Sequence, residues 1–242
     1  LIVGLWISKL ISKAFVKSLE KSRIDQSLVP FLSGLIGFAL KALVVITVMG
    51  MVGVEMTSFV AIIGAAGLAV GLALSGTLQN FAGGVIILIL KPFKIGDFIE
   101  AQGFTGKVKE ITIFATMLNT VDNKLVIVPN GPLSTGALIN YSAEELRRVY
   151  FTFGIAYGDD LPTFNKAIHD FIAADERILK DPAPFIGLAA LADSAVNFTV
   201  RVWANTPDYW DVFFAMNEKV YTKFPEYNLN IPFPQMDVHV QK

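Results

Sequence analysis

From about Thr57 to Leu90 the chain carries no charged side chain, and within that run Ala61 to Gly76 is built mostly from glycine and alanine set around two isolated leucines. A helix of this composition is apolar on every side. Small residues let helix backbones approach closely in a bilayer, where packing rather than hydrophobicity holds helices together. The segment therefore points to a membrane helix that packs tightly against others.

At 100° per residue, Ala61, Ala65, Leu68, Leu72, Ser75 and Gln79 share one narrow stripe. Gly64, Gly67 and Gly71 follow one flank; Ala69, Ala73 and Gly76 follow the other. A glycine groove on one copy can receive the alanine knobs of the next, a heterologous contact that closes into a ring. The stripe then lines the ring's axis, with two leucine levels above Ser75 and Gln79, and a hydrophobic constriction of this kind blocks ions by dewetting. Ile63, Val70 and Leu74 remain at the back for lipid or other helices. Small-residue spacings also serve ordinary two-helix packing, but three distinct faces on one helix exceed what that requires.

A straight helix from Thr57 to Leu90 is about 50 Å long, against about 30 Å of hydrocarbon. A break is expected at Gly76 or at the Gly83-Gly84 pair, so both Gly76 and Gly84 are candidate kink residues. Beyond it, Leu78 to Leu90 is expected to lie along the inner membrane surface as an amphipathic piece with Gln79 and Asn80, and Lys91-Pro92 stops the helix.

Of the 242 residues, 53% are hydrophobic, and the excess sits in the first ninety. Residues 28–53 form a second apolar segment long enough to span, with Pro30 near its start and Lys41 near its middle. The first apolar segment, Leu1 to about Phe15, opens inside an apolar run and is too short to span, so the first helix (1–22) is expected to be truncated at its start. Lys9, Lys13, Lys17 and Lys21 recur at spacing four and Arg23 follows, a basic face suited to anionic lipid at about 1 kcal/mol per residue. The loop Gly53 to Ser58 offers only Glu55, which places it outside and everything after Lys91 in the cytoplasm.

Residues 92–141 show short β-rich runs: Asp97 to Glu100, Thr105 to Phe114 and Leu125 to Val128, with turns at Gln102-Gly103 and Val121 to Lys124. Pro129-Asn130-Gly131-Pro132 reads as a rigid turn. Residues 142–242 read as strand (Arg148 to Ala156), helix (Leu161 to Ala173), strand (Phe185 to Ala190), strand (Ala195 to Trp203), helix (Tyr209 to Phe224) and strand (Met236 to Val240). That order, βαββαβ, is the ferredoxin-like split unit.

No catalytic constellation stands out. Asp159-Asp160 directly precedes a helix and is read as capping it. His169 and His239 have no zinc-type spacing, and with no cysteine there is no thiol chemistry. A net charge of −1 argues against nucleic-acid binding, and no metal or cofactor is expected.

Together these features resemble the bacterial small-conductance mechanosensitive channel family. The resemblance rests on Gly64 to Leu74, Asn80 to Gly84, Lys91-Pro-Phe-Lys-Ile-Gly-Asp97, Val128-Pro-Asn-Gly131 and Pro234 to Val238, and it covers almost the whole chain. It implies a membrane α-helical fold with three transmembrane helices per subunit (1–22, 28–53 and 57–91), the third lining the pore and kinked near Gly76. A cytoplasmic small β domain (92–141) follows, then an α+β ferredoxin-like domain (142–242) whose last strand joins a barrel. It further implies a homoheptamer in the bacterial inner membrane, opened by tension and releasing ions and small solutes on hypo-osmotic shock. Carried over by position, Leu68 and Leu72 match the leucine rings of the closed pore; Ser75 departs from the glutamine of a well-studied member. Alternatives from other classes are a secondary transporter, for which no duplicated half is visible, and a ligand-responsive membrane-anchored binding or signalling protein.

The interlocking flanks make a direct prediction. Gly71→Leu fills the groove and should reduce the yield of assembled complex, read as intact mass in detergent; a variant that assembles and gates normally contradicts the packing scheme.

Overall fold

Close packing of small residues sets the arrangement of the first helices. The computed structural model describes residues 1–20, 28–236, 238 and 239, which divide into two compact units, Leu1–Leu78 and Gln79–Lys242. In the first unit α1 (Ile2–Glu20) packs on α2 (Leu28–Met51). The side of α1 that meets α2 carries Gly4, Ser8 and Ser12 at spacing four; Ser8 is buried. A Cβ on Gly4 would lie 2.7 Å from Val44 Cγ1, and one on Gly37 3.5 Å from Ser12 Oγ. This small-residue stripe lies among the lysines that dominate the sequence pattern of α1 and was not singled out there. Two hydroxyls of α2 turn back onto their own helix, Ser33 to Pro30 O (3.0 Å) and Thr47 to Leu43 O (2.8 Å), which satisfies them without water. Lys21 and Arg23 of the expected basic face lie outside the described residues.

The third helix, α3 (Thr57–Leu90), is helical from end to end, yet the division between the units falls within it, after Leu78. Gln79 to Leu90 belongs with the β domain rather than lying as a separate surface piece, so the boundary expected at residue 91 comes too late. The reason is close packing: Ile87 is fully buried in one core with Phe93, Ile99, Val108, Leu118 and Leu133. A Cβ on Gly83 would meet Asn130 O at 2.4 Å, and one on Gly84 would meet Ile113 O at 2.3 Å.

The β domain is a five-stranded antiparallel sheet in the order β4-β3-β2-β1-β5. Its strands are β1 (Phe98–Ala101), β2 (Phe104–Ile111), β3 (Ala115–Asn119), β4 (Leu125–Pro129) and β5 (Leu138–Asn140). Gln102 and Gly103 both take positive φ (53° and 78°), as a two-residue hairpin between β1 and β2 requires. The expected turn at Pro129 to Pro132 is instead the start of α4 (Asn130–Thr135). Pro132 sits in its first turn, where no backbone N–H is needed, and Ser134 and Thr135 hydroxyls donate to Gly131 O at 2.9 and 3.0 Å.

The last domain pairs β6 (Leu146–Ile155), β8 (Val196–Asn205) and β7 (Phe185–Leu191) in that order, all antiparallel. With α5 (Leu161–Ala173) and α6 (Tyr209–Lys223) this makes the split unit expected, less its fourth strand. Alternate residues of β8 (Val196, Phe198, Val200, Val202) and β6 (Val149, Phe151, Phe153, Ile155) are buried in one core with Phe164, Ile168 and Phe171 of α5. Asp160 caps α5, accepting from Thr163 N at 3.0 Å, as read from the sequence. Asp159 does something different: it accepts from Asn230 N (2.8 Å) and Asn230 Nδ2 (3.1 Å), tying down the start of the tail. Met236, Val238 and His239 are not in a strand, while Asp237 and Val240 of the expected strand lie outside the described residues. A strand exists only by pairing, and these three find no strand partner among the described residues.

The Gly84 contact is testable. Gly84→Ala puts a methyl group against backbone that cannot step aside and should lower stability by about 1–3 kcal/mol, seen as a lower melting temperature of the purified protein. Gly34→Ala on α2, whose added Cβ meets nothing within 4 Å and which lies outside the proposed pore packing, should not lower that transition; an equal loss in the two variants contradicts the close contact at Gly84.

Candidate functional site

Every residue of α3 from Thr57 to Gln79 is exposed in the single chain. Leu68 and Leu72 are 65% and 67% exposed, on a helix with mean hydropathy 2.1 that is long enough to cross a membrane. The Leu32–Met51 part of α2 is the other such segment among the described residues. Apolar surface of this extent is not left in water.

The glycines of α3 sort into two kinds. Around Gly64, Gly67, Gly71 and Gly76 an added Cβ meets nothing within 4 Å, whereas around Gly83 and Gly84 it meets backbone below 2.5 Å. The chain itself makes no use of the first four being small. Ala61, Ala65, Ala69 and Ala73 share this open surface. Leu68 and Leu72 are one helical turn apart, about 6 Å along the axis. Ser75 Oγ donates to Leu72 O (2.9 Å), so its hydroxyl is satisfied by its own helix. Lys9, Lys13 and Lys17 are exposed on α1.

Below this stretch, polar side chains fasten α3 to the β domain. Asn80 Oδ1 accepts from Gly131 N at 2.9 Å. The next residue back, Asn130, is fully buried and its side chain is paired at both ends: Oδ1 accepts from Thr116 Oγ1 (2.8 Å) and Nδ2 donates to Thr112 O (2.9 Å). An unpaired buried amide costs about 1–3 kcal/mol, so this network holds one arrangement against others. Where α3 ends, Lys91 takes φ 49° and Gly96 φ 100°. Asp97 Oδ2 then accepts from Lys94 N (2.9 Å) and Asn140 Nδ2 (2.8 Å), tying the exit of the helix to β5. Asn80, Asn130 and the Gly83 contact were not among the candidate site residues. The glycine pair inside a helical pattern was the signal available for them.

Two other ionisable groups are held by close partners. Arg177 beside Asp175 (2.7 Å) holds that carboxyl below its usual range against the opposing effect of burial. The Tyr141 hydroxyl is pushed up because it donates to Glu100 Oε2 (2.6 Å) and is partly desolvated. His169 and His239 are exposed.

Comparison with known proteins bears on these features together. Residues 76–143 match the family described as mechanosensitive ion channel, beta-domain, and residues 149–231 match mechanosensitive ion channel MscS, C-terminal. A small-conductance mechanosensitive channel of Edwardsiella ictaluri is 43% identical over 240 residues, covering 99% of this chain and 84% of the relative. The crystal structure of Helicobacter pylori MscS in its closed state superposes with a TM-score of 0.90 at 32% identity, covering 100% of this chain and 95% of the other. Arabidopsis thaliana MSL1, at 19% identity and a TM-score of 0.78 over 94% of this chain and 83% of its own, shares the fold.

Proposed function

The chain belongs to the small-conductance mechanosensitive channel family, a family of membrane ion channels and not of enzymes, and from that premise we propose that copies of it form a ring whose pore is lined by α3. The observation that carries the proposal is the stretch Thr57–Leu78: uncharged, exposed throughout, and lined with glycines whose neighbours are missing from the single chain. Gly64, Gly67 and Gly71 of one subunit pack against Ala69 and Ala73 of the next, and seven copies close the ring. Ala61, Ala65, Leu68, Leu72 and Ser75 then face the axis. Two levels of leucine about 6 Å apart form a gate that excludes water, and hence ions, when the ring is narrow.

Counting Thr57 to Leu78 inclusive gives 22 residues, about 33 Å of helix, close to the roughly 30 Å of hydrocarbon. Gly76 sits at the lower end of this span and serves as the hinge between a part that slides with the pore and a part clamped by Asn80, Gly83 and Gly84. The α1–α2 pair faces lipid as the first and second membrane helices of each subunit, in the bacterial inner membrane, with the lysines of α1 near anionic headgroups and the C-terminal half in the cytoplasm. Tension favours whichever state occupies more membrane area. Tilting of α1 and α2 draws the pore helices apart, wets the leucine rings and releases ions and small solutes on hypo-osmotic shock.

Leu72→Ser replaces one apolar ring by hydroxyls. In patches under suction it should open at lower tension than the parent protein, with the stepwise current retained. An unchanged or raised threshold would sink the leucine gate.

A further inference from the structure

Away from the pore helix, a cleft of about 720 Å³ opens between the β domain and the last domain, with an adjoining space of about 400 Å³ that shares Phe98, Val121, Tyr141, Arg147 and Trp210. Its size falls in the range of small-molecule sites, and its walls are largely apolar and aromatic. Arg147 is its central polar group. The guanidinium carbon lies 3.8 Å from the centre of the Tyr209 ring and 4.9 Å from that of Tyr141, so the positive group is held over two aromatic rings. Arg147 is half-buried, and none of the ion pairs among the described residues includes it. The nearby Glu100 is already engaged by the Tyr141 hydroxyl.

A guanidinium set against two aromatic rings in a largely apolar cleft, and outside the ion pairs of the described residues, is suited to a bidentate carboxylate. The exposed rim adds Glu144 and Glu145, which lie outside those ion pairs and whose backbone carbonyls accept from Thr206 Oγ1 (2.7 Å) and Thr206 N (2.8 Å). Two adjacent carboxylates disfavour a multiply charged anion such as a phosphate ester, and Arg147 disfavours a simple cation. A ligand carrying both charges satisfies both ends, with an apolar body for Phe98, Val121 and Trp210.

We propose that this cleft binds a zwitterionic amino acid with a large apolar side chain, its carboxylate on Arg147, its ammonium towards Glu144 and Glu145, and its side chain between Phe98 and Trp210. The site is independent of the leucine gate, since binding is read without opening the channel.

Calorimetric titration of the full chain in detergent with L-phenylalanine, 3-phenylpropionate and phenethylamine tests each part. Phenylalanine should bind saturably and about tenfold more tightly than either single-charge probe. Arg147→Gln should weaken phenylalanine about tenfold or more, the effect of losing a charge-assisted pair, and abolish phenylpropionate binding. The double substitution Glu144→Gln with Glu145→Gln alters only the exposed rim, so the fold is kept. There phenylalanine should bind no better than phenylpropionate. Absence of saturable phenylalanine binding overturns the proposal, as does phenethylamine binding the tightest or affinities indifferent to both sets of substitutions.

Discussion

Backbone approaching backbone where no side chain intervenes is the contact on which the rest of this structure depends. Gly83 and Gly84 let α3 touch the carbonyls of Asn130 and Ile113, and this draws Ile87 into the β-domain core and makes the last three turns of an apolar helix part of a water-exposed domain. A single methyl group at either position would separate the two. The same absence of side chain recurs at Gly4 between α1 and α2, with Val44 in place of backbone. At Gly64, Gly67 and Gly71 it recurs with nothing opposite, and a surface made for close approach that the chain itself leaves open is what the proposed ring uses.

Glycine contacts allow proximity but give little direction, and direction comes from the polar groups beside them. Asn130 satisfies both ends of its side chain inside the protein, and its neighbour Gly131 donates to Asn80 on the helix. Because burying any of these groups unpaired is costly, the helix end has one favourable seat on the sheet rather than several. Asp97 repeats the arrangement where the helix leaves, joining the turn at Lys94 to Asn140. In the proposed channel these bonds give the sliding part of α3 a fixed base.

Much of this was legible beforehand, and the exceptions share a cause. Alternation identified β1, β2, β4 and the split βαβ of the last domain, and the spacing Phe164, Ala167, Ile168, Phe171 matches the buried face of α5 because both follow from one element's own period. The pattern failed where an element's identity depends on what it meets. Leu78 to Leu90 looked like a membrane-surface piece, because the sheet that buries Ile87 comes from elsewhere in the chain. Pro129 to Pro132 looked like a turn because the six-residue helix that begins there has too little period to read. Met236 to Val240 looked like a strand because alternation marks a segment able to pair, whether or not a partner exists in the same chain.

The sequence by itself determined that this is a membrane protein with a small-residue helix of three faces, followed by a β unit and an α+β unit, since hydrophobic content, helical period and strand alternation are all local quantities. The placement of Leu68 and Leu72 on one stripe also required nothing beyond the geometry of a helix. Tertiary structure decided where that helix changes allegiance, which glycines are packed inside the chain and which are left open, and that Arg147 lies over the rings of Tyr141 and Tyr209 at the edge of a cleft. These depend on groups far apart in the chain meeting at van der Waals distance, and no local period carries that information.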